Sequence, residues 1–141
     1  MATIRKVISL AAPVEQVWDV IRDVGAIHTR FAPGFVVGTR MEEAGVRIVT
    51  FANGLVVREL IITVDDQAHR LAYSISGGAP THHNASFQVF PAAAGHSSLV
   101  WITDLLPDTL AANFTAIIEA GSNVIKRTLN ATRPSPPARE M

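Results

Sequence analysis

One long amphipathic stretch near the C-terminus, Asp108 to about Thr132, constrains the fold more than any other part of the chain. Leu110, Phe114, Ile117, Ile118, Gly121, Val124, Ile125 and Leu129 recur there at steps of three and four. On a helix these positions fill one arc of roughly 140°. Asn113, Glu119, Asn123, Arg127 and Asn130 fall outside it. Pro107 and Asp108 offer a rigid residue and a capping carboxylate at the start. Lys126 and Arg127 come late, where cations suit the negative end of the helix dipole. Pro134, Pro136 and Pro137 forbid continuation. Such a helix spans ~36 Å, and burying its apolar arc is worth on the order of 10 kcal/mol before entropy. It needs a partner surface as long as a small domain.

The residues before it supply a sheet. Thr3–Leu10 reads as a strand, and Pro13 to about Val24 as an amphipathic helix with Val14, Val17, Trp18 and Ile21 on one face. Ala26–Phe31 reads as a short second helix ended by Pro33 and Gly34. The period then changes to that of strands: Phe35–Met41, Arg47–Phe51, Leu55–Val64, Arg70–Ser76, His83–Phe90 and Ser98–Leu106. Asn53-Gly54 marks a hairpin, because both residues tolerate positive φ. Short links imply antiparallel neighbours. The expected architecture is α+β: a curved antiparallel sheet of about seven strands wrapped around the C-terminal helix, with two short helices after the first strand. Residues 1–132 should form a single domain and residues 133–141 a disordered tail.

Composition narrows the partners. Twelve basic and twelve acidic residues balance, with no basic run, whereas nucleic-acid binding needs a positive footprint. No nucleic-acid partner is expected. There is no cysteine, so thiolate catalysis, disulfides and cysteine metal sites are excluded. Met1–Leu10 lacks the apolar core of a signal peptide, and no apolar run is long enough for a membrane span. A cytoplasmic location is expected, with a homodimer left open.

Several stretches together resemble a known family. Ala12-Pro13-Val14-Glu15-Gln16-Val17-Trp18, Arg58-Glu59-Leu60 followed by Asp65-Asp66, Tyr73-Ser74-Ile75 with Gly77-Gly78, Trp101 with Pro107, and Gly121 to Lys126 resemble, in order and spacing, motifs of the Bet v 1 and START-related (SRPBCC) superfamily. That superfamily has the helix-grip fold and includes polyketide cyclase/dehydrase-like proteins and plant abscisic acid receptors. The resemblance implies a cavity between sheet and helix for an apolar small molecule. It transfers no catalytic residue, since polyketide cyclases share no common catalytic signature. Pro80-Thr81-His82 stands where the plant receptors have their His-Arg-Leu latch, and their acid-binding lysine has no counterpart among Lys6 and Lys126.

Glu59 is the leading candidate for chemistry. It alternates with Val57 and Ile61, and the family motif implies a cavity-facing glutamate. A carboxylate beside apolar walls suits a general acid or base; the alternative is an exposed or arginine-paired residue on the convex face. Tyr73, the only tyrosine, is implied by the same resemblance to line the cavity, or else is core with an internal hydroxyl partner. Trp101 and Asp104 lie on opposite faces of the last strand, and the register decides which points inward. On the long helix, Phe114 and Ile118 are central to the apolar arc and Ser122 is at its edge, so these should line any cavity. His82 and His83 alternate between faces of a strand with no accompanying ligand motif, so no metal and no cofactor is expected. His82 is a candidate for the cavity rim. Gly95-His96-Ser97-Ser98-Leu99 lacks the closing glycine and the strand–turn–helix setting of a nucleophile elbow.

Three functions compete. The first is binding of a hydrophobic small molecule (a lipid, an aromatic or a polyketide-like compound) in an internal cavity. The second is a cyclase/dehydratase-type enzyme using a cavity acid or base. The third is a protein-interaction module working through an exposed sheet face. A converging dyad would favour the second, and an apolar cavity the first.

Overall fold

The structure, a computed structural model, describes residues 2–131; the segment expected to form a tail lies outside them. Seven strands form one antiparallel, curved sheet: β1 (Ala2–Leu10), β2 (Val36–Glu43), β3 (Val46–Phe51), β4 (Val56–Asp65), β5 (Arg70–Ser76), β6 (His82–Pro91) and β7 (Ser97–Leu106). Their order is β1-β7-β6-β5-β4-β3-β2. Strands β2 to β7 are successive hairpins, and β1 pairs beside β7 at the far edge. The link from β1 to β2 therefore crosses the whole sheet. It does so through helix α1 (Val14–Ile21) and a π-helical turn at Ile27–Phe31.

The turns follow their residues. At the β3–β4 hairpin Gly54 takes φ +91°, and Asn53 Oδ1 accepts the Leu55 N–H at 2.9 Å. At the β4–β5 turn Asp65 Oδ1 accepts the N–H groups of Gln67 and Ala68. Its neighbour Asp66 receives Trp18 Nε1 at 2.8 Å and Arg22 Nε at 2.9 Å, which fastens α1 to the sheet.

Helix α2 (Ala111–Ala131) lies in the grip of the sheet. Ile118, Gly121, Ser122, Ile125 and Leu129 are buried on it, whereas Leu110, Phe114, Ile117 and Val124 are half-buried. Two polar ties hold it along β1: Lys6 Nζ to Glu119 at 2.8 Å, and the Ala11 N–H to Asn130 Oδ1 at 2.8 Å. Gly121 permits the closest approach. A Cβ there would stand 3.0 Å from the Phe35 ring and 3.3 Å from Trp101.

Three local expectations are corrected. The C-terminal helix opens with a 3₁₀ turn at Asp108–Leu110, and Pro107 rather than Asp108 holds the cap position. The first helix ends at Ile21, because Asp23, Val24 and Ala26 close a chain of turn bonds instead. The short second helix is the π turn, closed by the Ala32 N–H on the Ile27 carbonyl.

Candidate functional site

Strand alternation decides what faces α2. The inner face presents Arg47 and Val49 from β3, Val57 and Glu59 from β4, Leu71, Tyr73 and Ile75 from β5, His83 and Phe87 from β6, and Trp101 and Thr103 from β7. Between this face and α2 lies a cavity of about 480 Å³, within the range of small-molecule sites. Asn113, Phe114, Ile117, Ile118 and Ile125 form its helical wall, with Leu110 from the 3₁₀ turn before it. The lining reaches the surface at exposed Leu55 and Val56 and at the Gly77–Pro80 turn, so the cavity opens between two hairpin ends and the start of the helix.

The wall is mostly apolar and rich in aromatic rings. Trp101 stacks on Phe87 at 4.6 Å between centroids, and Phe87 stacks on Tyr73 at 6.0 Å. Trp101 Nε1 donates to the Tyr73 hydroxyl at 3.1 Å, which leaves the tyrosine O–H free to donate. Burial pushes the Tyr73 phenol well above its usual value, helped by nearby Glu59.

The polar centre is an ion pair. Arg47 Nε lies 2.8 Å from Glu59 Oε1, with the two side chains only 3% and 7% exposed. Arg47 Nη1 also donates to the Val24 carbonyl at 3.1 Å, and the guanidinium sits 5.6 Å from the centre of the Tyr73 ring. Among the described residues Arg47 Nη2 donates no hydrogen bond and Glu59 Oε2 accepts none. Nearer the mouth, His83 Nδ1 accepts the Ile75 N–H at 3.0 Å, which places the ring proton on Nε2. Burial pulls the His83 pKa down to about 4.

Of the residues singled out from the sequence, Glu59, Tyr73, Trp101, Phe114 and Ile118 all border the cavity. Glu59 combines two readings that had been set against each other: it faces inward and it is paired with an arginine. Trp101 is the inward residue of β7, while Asp104 on the other face joins Thr3 and Asn84. Two positions need correction. Ser122 does not line the cavity, although Ile118 and Ile125 on either side of it do; it is buried, and its Oγ has no partner among the described residues. His82 is exposed and bonded to Asn84, and the histidine in the cavity is His83. Arg47, Phe87 and Thr103 went unnoticed as site residues. Phe87 and His83 share one face of a strand that alternates plainly, and that signal could have found both. Among the described residues no group of metal-ligating side chains converges, and no described helix is long and apolar enough to cross a membrane.

The family model for polyketide cyclase/dehydrase and lipid transport matches residues 1–133. The chain belongs to this family. No functionally curated protein matches it. Among solved structures, the protein XoxI from Bacillus cereus superposes with a TM-score of 0.82 at 20% identity, covering 93% of this chain and 97% of that one. A protein from Thermobifida fusca gives 0.77 at 26% identity, covering 92% and 91%. Norcoclaurine synthase from Thalictrum flavum, in complex with dopamine and hydroxybenzaldehyde, gives 0.71 at 18%, covering 94% and 89%. These likenesses agree with the helix-grip architecture, and the family supports a fold that binds hydrophobic ligands.

Proposed function

We propose that this protein binds a hydrophobic, drug-sized molecule, aromatic in at least part, in the cavity between the sheet and α2. The observation that carries the reading is the cavity of about 480 Å³, lined by Tyr73, Phe87, Trp101 and Phe114 around a buried Arg47–Glu59 pair. Apolar walls supply affinity, and a few fixed polar atoms supply orientation. Stacked rings favour flat ligands. The Thalictrum flavum relative is seen with two small aromatic compounds, which fits the same preference. Acid–base catalysis has less support. Glu59 is engaged by Arg47, and His83 spends its lone-pair nitrogen on the Ile75 N–H. Both groups that would move a proton are therefore held in structural roles.

Native mass spectrometry of the protein purified from its own host tests the reading. A co-purifying apolar adduct, removable by organic extraction, is expected. A bare mass that also stays bare on titration with flat aromatic compounds contradicts it.

A further inference from the structure

We propose that the cavity selects uncharged ligands: it takes an apolar molecule ending in a neutral group that both donates and accepts a hydrogen bond, such as a phenol or hydroxyketone. Carboxylates and amines of the same shape are rejected. This inference rests on the ligand-binding reading above and narrows it to a chemical class.

The charges within the cavity already cancel. Arg47 and Glu59 are joined at 2.8 Å and nearly inaccessible to solvent. Arg58, the other charged residue of the lining, is half-exposed at the rim and has Glu42 at 2.9 Å. Tyr73 keeps its proton, since burial raises its phenol. His83 is neutral at physiological pH, because burial lowers it to about 4. No group is left to neutralise a charge brought in by a ligand.

A carboxylate entering the cavity would have to draw Arg47 away from Glu59, leaving Glu59 buried without a cation. An ammonium would strand Arg47 in the same way. A buried charge without a partner is strongly disfavoured. A neutral donor–acceptor group faces no such conflict. Glu59 Oε2 can accept from it and Arg47 Nη2 can donate to it while the Nε–Oε1 bond stays intact. The Tyr73 O–H and His83 Nε2–H add two further donors.

The test is calorimetric titration of the full chain at neutral pH with naphthol, naphthoate and naphthylmethylammonium, which share one ring system and differ in charge. Naphthol should bind at least about tenfold more tightly than either ion. In Glu59→Gln the shape is kept and Arg47 is left as an uncompensated cation, so naphthoate should gain at least about tenfold relative to naphthol. Should that variant fold poorly, Arg47→Met with Glu59→Leu removes both charges together; it should bind naphthol more weakly and still reject both ions. Naphthoate binding the unaltered protein as tightly as naphthol overturns the charge selection alone. So does an unchanged order of preference in Glu59→Gln, or ready acceptance of either ion by the double variant. Failure of all three compounds to bind the unaltered protein overturns the ligand-binding reading, and this inference with it.

Discussion

Arg47 and Glu59 stand directly opposite each other across the β3–β4 hairpin, Nε to Oε1 at 2.8 Å, on the inner face of the sheet. Removing one partner leaves the other charge buried, whereas removing both replaces the pair with apolar packing. Arg47→Met is expected to lower unfolding free energy by about 3–5 kcal/mol, and Arg47→Met with Glu59→Leu to recover most of that loss. Urea denaturation of the two variants checks this. Equal losses in single and double variants would contradict it.

His83 should make stability depend on pH. The unfolded chain takes up a proton at the ordinary histidine value of about 6.5, but the native ring does so only near about 4. Between these values the unfolded state binds more protons. Stability therefore falls as pH drops from about 6.5 to about 4, and this contribution is level above the window. The loss is on the order of 2 kcal/mol after allowance for partial solvent access. His83→Asn keeps an acceptor for the Ile75 N–H and should flatten that part of the curve. Urea melts of both proteins from pH 4 to 8 compare the slopes, and identical slopes would contradict the assignment.

Much of this was legible in the sequence because periodicity reports which face a residue takes. The arc of Ile118, Gly121, Ile125 and Leu129 is buried where the helical spacing places it, and the Asn53-Gly54 signal marks a real hairpin. The Arg47–Glu59 pair was hidden because it depends on loop length. A two-residue Asn53-Gly54 turn would set Arg47 opposite Leu60. The chain instead closes with the Phe51 N–H on the Leu55 carbonyl, around a three-residue loop from Ala52 to Gly54. That one-residue difference brings Glu59 opposite Arg47. Ser122 failed for a different reason. It lies on the buried side of α2 between Ile118 and Ile125, but at the edge of the arc turned away from Phe114 and so outside the lining.

Gly121→Ala sets two effects against each other. Alanine favours the helix by about 1 kcal/mol, but its Cβ would crowd Phe35 at 3.0 Å and Trp101 at 3.3 Å. Trp101 is held by its bond to Tyr73, so the Phe35 ring must yield into the cavity it borders. Overpacking costs about 1–3 kcal/mol. A net loss of about 1 kcal/mol in thermal or urea unfolding is expected, together with weaker binding of aromatic compounds. A stabilised variant with unchanged binding would contradict this.

The two tryptophans make the most direct test of the cavity as a binding site. Trp101 Nε1–H points to Tyr73 in the cavity wall, while Trp18 Nε1–H points to Asp66 at the β4–β5 turn and lies outside the lining. A two-dimensional ¹H–¹⁵N NMR spectrum resolves both indole N–H signals in one titration with naphthol. The Trp101 signal should shift with added naphthol, in step with the backbone amides of Tyr73 and Phe114, while the Trp18 signal stays in place. A shift of Trp18 alone, or saturation binding that leaves both signals unmoved, would contradict binding in the cavity.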